Sequence, residues 1–412
     1  MKFGRYGTIP DRPEHHRART RILTAVATTA LATGLILALG APSSSGSGTS
    51  EAASGLVPVP AAQPARIAST ARGISARVMP GVVIIETGLR YNSEAAAGTG
   101  MVINPDGLVL TNNHVIEDAT SITGTVAGKT YQARVVGYDK TDDIALIRLQ
   151  GAPRLRVVPV GNSSLAQVGQ TVVAMGNALG HSAVITSPGK LTKLNQTILA
   201  SDEVGSMTSE TLHGMLQADD GLVAGDSGGP LSSTDGVIGM DTAANGTGRQ
   251  QAVGFAIPIN KALAVAGQIA AGNASSVITI GYPPFLGTFV GTGTNANPLS
   301  QAQQGLSESA VPATPAPSCY TSNADLTLPA ATAPVNSGVL VQGVICASPA
   351  ARAGIPGGAV ITAVNGQHIG SPDDLSQAMA RFRPGDMISV TWVNASGKPT
   401  TSRIRVTAGP PQ

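Results

Sequence analysis

The sequence predicts a mainly β protein made of two folded blocks that follow an N-terminal apolar helix. Three observations carry this reading. Only 12 % of the 412 residues are charged, while Gly numbers 50 and Pro 28, a composition that favours short strands and turns over long helices. From 73 to about 272, short apolar runs such as "GVVIIETG", "DIALIRL" and "AVGFAIP" are separated by turn residues. Near the start lies one long uncharged run, "ILTAVATTALATGLILALGA", residues 22–41.

Residues 1–21 hold six Lys/Arg against two acids, which leaves 20 against 22 in the remainder. A basic head before an uncharged run is an address label, and a net charge of +2 gives no electrostatic footprint for nucleic acid. Twenty helical residues span about 30 Å, the thickness of a bilayer's hydrocarbon core. Positive charge ahead of 22–41 keeps the N-terminus inside and sends the rest of the chain out of the cytosol. A cleaved signal peptide is the competing reading, with Ala38 and Gly40 before a cut at Ala41. The long basic head and the length of the run favour an uncleaved anchor. The expected location is the cell membrane, single-pass, with the working part extracytoplasmic, or secreted if 22–41 is removed. Residues 42–72, rich in Ser, Gly, Ala and Pro, read as a flexible tether.

The density of strands in 73–272 suggests barrels or a sandwich. "NPDG" (104–107) reads as a hairpin turn, and Asn260 as the cap of a closing helix that ends near Gly272. A second block covers 276–412, interrupted at about 291–336 by a polar, Pro/Ala/Thr/Ser-rich segment with the look of a disordered insertion. Within it, Ser371-Pro372-Asp373-Asp374 reads as a helix start, and Leu375, Ala378, Met379 and Phe382 follow as one apolar face.

Chemistry concentrates at "LVAGDSGGPL", residues 222–231. An unaided serine hydroxyl is a weak nucleophile; it needs a base, a group to orient that base, and donors for the oxyanion that forms. Glycines beside Ser227 suit that need, because Gly225 lets the Gly225 and Ser227 N–H groups point at one spot. A plain surface turn is the bland alternative. Six histidines are available. His15 and His16 lie in the basic head, and His181, His213 and His368 sit in polar surroundings. His114, in "LVLTNNHVIEDA", begins a short turn or helix at a strand tip. Between it and Ser227, "GYDKTDDIALIRL" offers Asp139, Asp142 and Asp143. Asp143 borders the buried run and needs a partner such as an imidazole, whereas Asp139 and Asp142 read as solvated turn acids. The order His114, Asp143, Ser227 is that of chymotrypsin-type proteases. No Cys/His cluster or H-E-x-x-H motif is present, so neither metal nor cofactor is expected.

Through "GTGMVINPDGLVLTNNHVI", "DDIALIRL", "AMGNALG", "GDSGGPL", "VIGMDTA" and "VGFAIP", residues 73–272 resemble the HtrA (Deg) branch of chymotrypsin-like serine proteases. The resemblance implies two six-stranded β-barrels with His114 as general base, Asp143 as its orienter and Ser227 as nucleophile. It places the oxyanion donors on the N–H groups of Gly225 and Ser227. Much of the branch carries Asn before the nucleophile where this chain has Asp226, and nothing here resembles a zymogen activation sequence. Gly221 stands where trypsins carry an acid; with Thr242, Ala243 and Gly254 as walls, it implies a small apolar specificity pocket. Residues 338–407 resemble an α/β PDZ domain of the HtrA type, which adds a peptide's C-terminus to a sheet edge and holds its carboxylate on loop amides. The matching loop, "PPFLGTF", makes Phe285, Leu286 and Gly287 the peptide-binding candidates. The two cysteines of this exported chain, Cys319 and Cys346, fall in that block and suggest a disulfide pinning the insertion. The implied function is a membrane-tethered endopeptidase of misfolded or unfolded envelope proteins, cutting after small apolar residues and regulated through its PDZ domain. The family usually assembles as trimers. A peptide-binding scaffold or chaperone without hydrolysis, and a regulatory protease with one client, remain as alternatives.

Overall fold

A computed structural model describes residues 62–91, 94–200, 210–245, 253–290, 318–327, 329 and 331–411. The apolar run 22–41 lies outside them, and among the described residues no helix is long and apolar enough to cross a membrane. The chain becomes regular at α1 (Ala62–Val78). Residues 62–72, assigned above to the tether, are therefore helical. Ala71, Ile74 and Val78 recur at helical spacing and are buried in a shared core, which is what holds the helix.

Strands β1 (Val82–Leu89), β2 (Glu94–Asn104) and β3 (Leu108–Thr111) follow, then α2 (Asn113–Ile116), β4 (Ser121–Val126), β5 (Lys129–Asp139) and β6 (Ile144–Leu149). They pair in the order β5-β4-β1-β2-β3-β6, and a β5–β6 ladder closes the barrel. Alternation decides what each strand buries. Val83, Ile85, Val102, Val109 and Ile147 fill the barrel. Their neighbours Val82, Met101, Leu110, Ile144 and Leu146 point the other way, into a core shared with the second barrel. The "NPDG" turn forms as expected, with Asp106 N–H donating to Asn104 Oδ1 at 2.8 Å.

The second barrel comprises β7 (Thr171–Gly176), β8 (Ile185–Ala200), β9 (Glu210–Ala218), β10 (Pro230–Ser233), β11 (Gly236–Asn245) and β12 (Val253–Pro258). It closes in the order β10-β11-β12-β9-β8-β7. Val172, Leu191, Leu216, Leu231 and Ile238 form its interior. Helix α3 (Ile259–Ala270) leaves β12 directly and packs Ile259, Ala262, Ala266 and Ile269 on the shared core. Asn260 does not cap it, because Pro258 already occupies the cap position. The Asn260 amide instead ties the helix to the 162–164 turn, donating to Asn162 Oδ1 at 2.8 Å.

Strand β13 (Ile278–Ile280) adds to β5 and carries the chain into the second block. There β14 (Pro284–Phe285) pairs with β21 (Thr407–Ala408), while β15 (Thr288–Val290), β16 (Val339–Val344), β17 (Val360–Val364), β19 (Met387–Val393) and β20 (Pro399–Arg405) form a sheet in that order, with β18 (Gln367–His368) on β17. Helices α4 (Pro349–Arg352) and α5 (Pro372–Met379) complete the block. Ser371 caps α5 as its sequence predicts, accepting from Asp374 N–H at 3.2 Å. The insertion is ordered in part, contrary to expectation for 291–336. Cys319 and Cys346 are bonded, Tyr320 N–H donates to Val344 O at 2.9 Å, and Tyr320 and Leu326 lie over Gly343, where no side chain intervenes. Residues 291–317 are outside the described set.

Candidate active site

Strand β3 ends at Thr111, Asn112 is extended, and α2 then turns His114 across the barrel end. Asp143 closes the turn into β6 in the left-handed region (φ 52), which a short Asp side chain tolerates. These two elements bring His114 Nδ1 to 2.9 Å from Asp143 Oδ2. The carboxylate also accepts His114 N–H at 3.0 Å and the Thr242 hydroxyl, while Asn112 Nδ2 holds the Asp143 carbonyl at 2.9 Å. Such a carboxylate keeps the proton on Nδ1 and leaves Nε2 as the acceptor. The Asp143 side chain is 4 % exposed and that of His114 23 %, so the orienting group is dry and the ring is reachable. Asp139 departs from its reading as a solvated acid. It is buried, accepts Asp142 N–H at 3.1 Å and has its carboxyl pushed up by burial. Asp142 pairs with Lys261 at 2.6 Å.

Ser227 stands on the loop between β9 and β10, and its Oγ–H donates to the Thr242 carbonyl at 3.2 Å. The loop turns on Gly225 (φ 95) and Gly228 (φ 83), conformations that side chains disfavour. A Cβ at Gly225 would strike the Asn177 carbonyl, and one at Gly228 the Thr99 carbonyl. Among the described residues, neither the Gly225 nor the Ser227 N–H has an acceptor. Asp226, left without a role by the sequence, closes the turn: its carboxylate accepts Val223 N–H at 3.0 Å.

Asp226 belongs to a group that sequence reasoning missed. Asp220, Asp226 and Asp241 are all buried at the same end of the second barrel. Burial pushes Asp220 up to about 6, raises Asp226 and raises Asp241 well above the usual carboxylate range; mutual repulsion adds to the shifts of Asp220 and Asp241. Asp220 Oδ1 and Asp241 Oδ2 have no hydrogen-bond partner among the described residues. The signal was available as "ADD" and "GMDTA", but nothing in either string says that both carboxyls turn inward.

The expected pocket residues fare unequally. A bulge lies between Asp241 and Ala243, and the Thr242 hydroxyl donates to the Asp143 carboxylate. Ala243 pairs with Phe255 across the β11–β12 ladder. Gly221 is open, with no atom near an added Cβ, whereas Gly254 lies directly against Asp220 Oδ1. In the second block, Leu286 O accepts Ala350 N–H and Gly287 O accepts Ile345 N–H, both at 2.9 Å, while the Leu286 and Gly287 N–H groups have no acceptor among the described residues. The Leu286 side chain itself is in the core. Phe285 stacks on Tyr91 of the first barrel with ring centroids 5.7 Å apart, and Asn323 N–H donates to Tyr91 O at 2.6 Å.

Comparison with known proteins matches residues 98–240 to the trypsin-like peptidase domain and 340–389 to the PDZ domain. Serine protease PepD of Mycobacterium tuberculosis is 29 % identical over 356 residues, covering 82 % of this chain and 65 % of the relative. A probable periplasmic serine endoprotease DegP-like of Chlamydia trachomatis is 30 % identical over 320 residues, 77 % of this chain and 55 % of its own. The putative serine protease HhoA of Synechocystis is 34 % identical over 281 residues, 67 % and 61 % respectively. The chain thus spans 55–65 % of the length of these relatives. Among solved structures, the HtrA-type protease AlgW with a tripeptide aligns over 83 % of this chain and 98 % of its own, at 25 % identity and a TM-score of 0.43, so the assignment rests on the sequences. They make this chain a member of the HtrA family of serine proteases, a trypsin-like peptidase domain followed by a PDZ domain.

Proposed function

We propose that the chain is a membrane-tethered endopeptidase in which Ser227 attacks the peptide carbonyl of unfolded or misfolded envelope proteins. The single observation that carries this is the His114–Asp143 pair, joined at 2.9 Å and fixed by Thr242, whose carbonyl in turn holds the Ser227 hydroxyl. For reaction the hydroxyl rotates off Thr242 O and passes its proton to His114 Nε2 as Oγ bonds to the carbonyl carbon. Asp143 stabilises the imidazolium, and the Gly225 and Ser227 N–H groups receive the oxyanion. His114 then protonates the leaving amine, and water releases the acyl group by the same steps. Gly221, Ala243 and Gly254 bring no side chain larger than a methyl, and Asp220 occupies the space beside Gly254. By filling the space beside Gly254, Asp220 limits the room there and favours a small residue before the cut; the apolar preference rests on the family resemblance. The free amides of Leu286 and Gly287 suit a peptide carboxylate, and the Phe285–Tyr91 stack gives that loop a contact with the first barrel. Tethering through 22–41 rests on its length and flanking charge, and trimeric assembly on the family alone.

The test is turnover of unfolded β-casein by the full-length chain. Ser227→Ala and His114→Ala should each lose about as much as the other, at least ~1000-fold, since such residues act as a unit. A peptide with a free apolar C-terminus should raise turnover several-fold and its amide should not. Equal turnover by wild type and Ser227→Ala would leave a non-hydrolytic scaffold as the function.

A further inference from the structure

The "GTG" at residues 98–100 contains a threonine that no feature of the sequence singles out, and its surroundings explain the pattern. On β2, Gly98 and Gly100 face the inside of the first barrel, where an added Cβ would meet Val115 Cγ1 at 2.6 Å and Val109 Cγ1 at 2.7 Å. Strand alternation turns Thr99 the other way, beside Met101, toward the second barrel. Thr99 is fully buried, at 0 % exposure. Every polar atom it has is bonded. Its Oγ1–H donates to Gly225 O at 2.7 Å, and the same oxygen accepts Asn177 N–H at 2.8 Å. Its N–H donates to Ser227 O at 2.8 Å. Its carbonyl accepts the Thr111 hydroxyl at 2.6 Å, which anchors the arrangement to β3.

These bonds pin the peptide planes 225–226 and 227–228, the two that flank the plane bearing the Ser227 N–H. Peptide units are rigid and flat, so fixing both flanks restricts the direction of the amide between them. The remaining neighbour is held by Leu179 N–H, which donates to Ala224 O at 2.7 Å and so aims the Gly225 N–H the opposite way. Asn177 links the two clamps, because its own N–H ends on Thr99 Oγ1. Glycines at two positive-φ positions give this loop backbone freedom, and the bonds to Thr99 restrict it.

We propose that Thr99 is a positioning residue of the hydrolytic reaction: from the first barrel it holds the nucleophile loop so that the Gly225 and Ser227 N–H groups converge. It touches no substrate. Its effect is on kcat, through the oxyanion donors, with ground-state binding unaltered. This rests on the assignment of Ser227 as nucleophile.

Thr99→Val keeps the shape and removes both Oγ1 bonds, leaving the half-buried Gly225 carbonyl and the buried Asn177 N–H unpaired. With the full-length chain and fluorescently labelled β-casein, kcat per titrated active site should fall about 10- to 100-fold, with KM within about twofold of wild type. Thr99→Ser retains the hydroxyl and should restore kcat to within about threefold. Normalising to titrated sites removes any loss of folded protein, which a merely structural role would produce. The proposal fails if Thr99→Val turns over as wild type, if KM alone changes, or if Thr99→Ser is as slow as Thr99→Val. Absence of any Ser227-dependent turnover in the wild type would instead refute the protease assignment, so the two failures are distinct.

Discussion

The two barrels have the same number of strands and opposite ways of ending them. The first ends in regular structure: β3 runs into α2, β5 turns into β6, and the His114–Asp143 pair sits on those continuations. Its one buried, raised carboxyl, Asp139, has Lys261 near enough to lower it. The second barrel ends in a long loop that turns on Gly225 and Gly228, above three buried carboxyls with no lysine or arginine paired to them among the described residues. The difference teaches where adaptability resides. On the proposed assignment, the acid–base pair sits on elements of the first barrel with one bond from Thr242 of the second, whereas the loop of the nucleophile and oxyanion donors takes most of its bonds from outside itself. Thr99 of the first barrel and Thr242 and Leu179 of the second are among those that supply them.

The sharpest way to break this comparison is at Gly228, where the barrels touch. An added Cβ would meet the Thr99 carbonyl and the Thr111 hydroxyl at a backbone conformation that already disfavours it. Gly228→Ala should lower kcat by on the order of 100-fold or more and cost about 3 kcal/mol in denaturant unfolding. Gly128→Ala, in the β4–β5 hairpin, has the same sign of φ (75) and nothing within reach of a Cβ. It should cost only about 1–2 kcal/mol and leave kcat unchanged. Equal effects of the two substitutions would show that the barrel contact has no special role.

That contrast also shows what could be read from the chain. Short apolar runs separated by turns leave barrels and a sandwich both open, and the family resemblance chooses the barrels; the order His114, Asp143, Ser227 picks out two residues that bond directly and a third that is linked to Asp143 through Thr242. Helix α1 was illegible because its polar, alanine-rich composition matches a tether; only the shared core that Ala71, Ile74 and Val78 enter makes it a helix. Thr242 and Thr99 look alike in sequence to any strand threonine. The first lies at a bulge and the second on a strand between two glycines, and the bonds of neither are a local property. The carboxyl group was hidden for the same reason: Asp220 and Asp241 are distant in sequence and meet only when the barrel closes.

A smaller effect should come from those carboxyls through pH. With Asp220 raised to about 6 and Asp241 well above the usual range, the folded protein binds protons that the unfolded chain has released. Their contribution to stability is full below about pH 4 and is lost as pH rises through about 6 and beyond. Asp220→Asn removes the ionisation and keeps an acceptor oxygen. It should be about 1–3 kcal/mol more stable than wild type at pH 8 and about equal at pH 4, read from thermal unfolding midpoints. A variant less stable than wild type at pH 8 would mean that the ionised carboxylate is needed.

The central claim is that a rigid pair on one barrel activates a hydroxyl on the other. Labelling of the full-length chain with a fluorophosphonate, followed by peptide mapping, tests it most directly. The account predicts a single adduct on Ser227, slowed at least ~1000-fold in His114→Ala with the fold retained. Labelling that is unaffected by His114→Ala, or that falls on a residue other than Ser227, would contradict it.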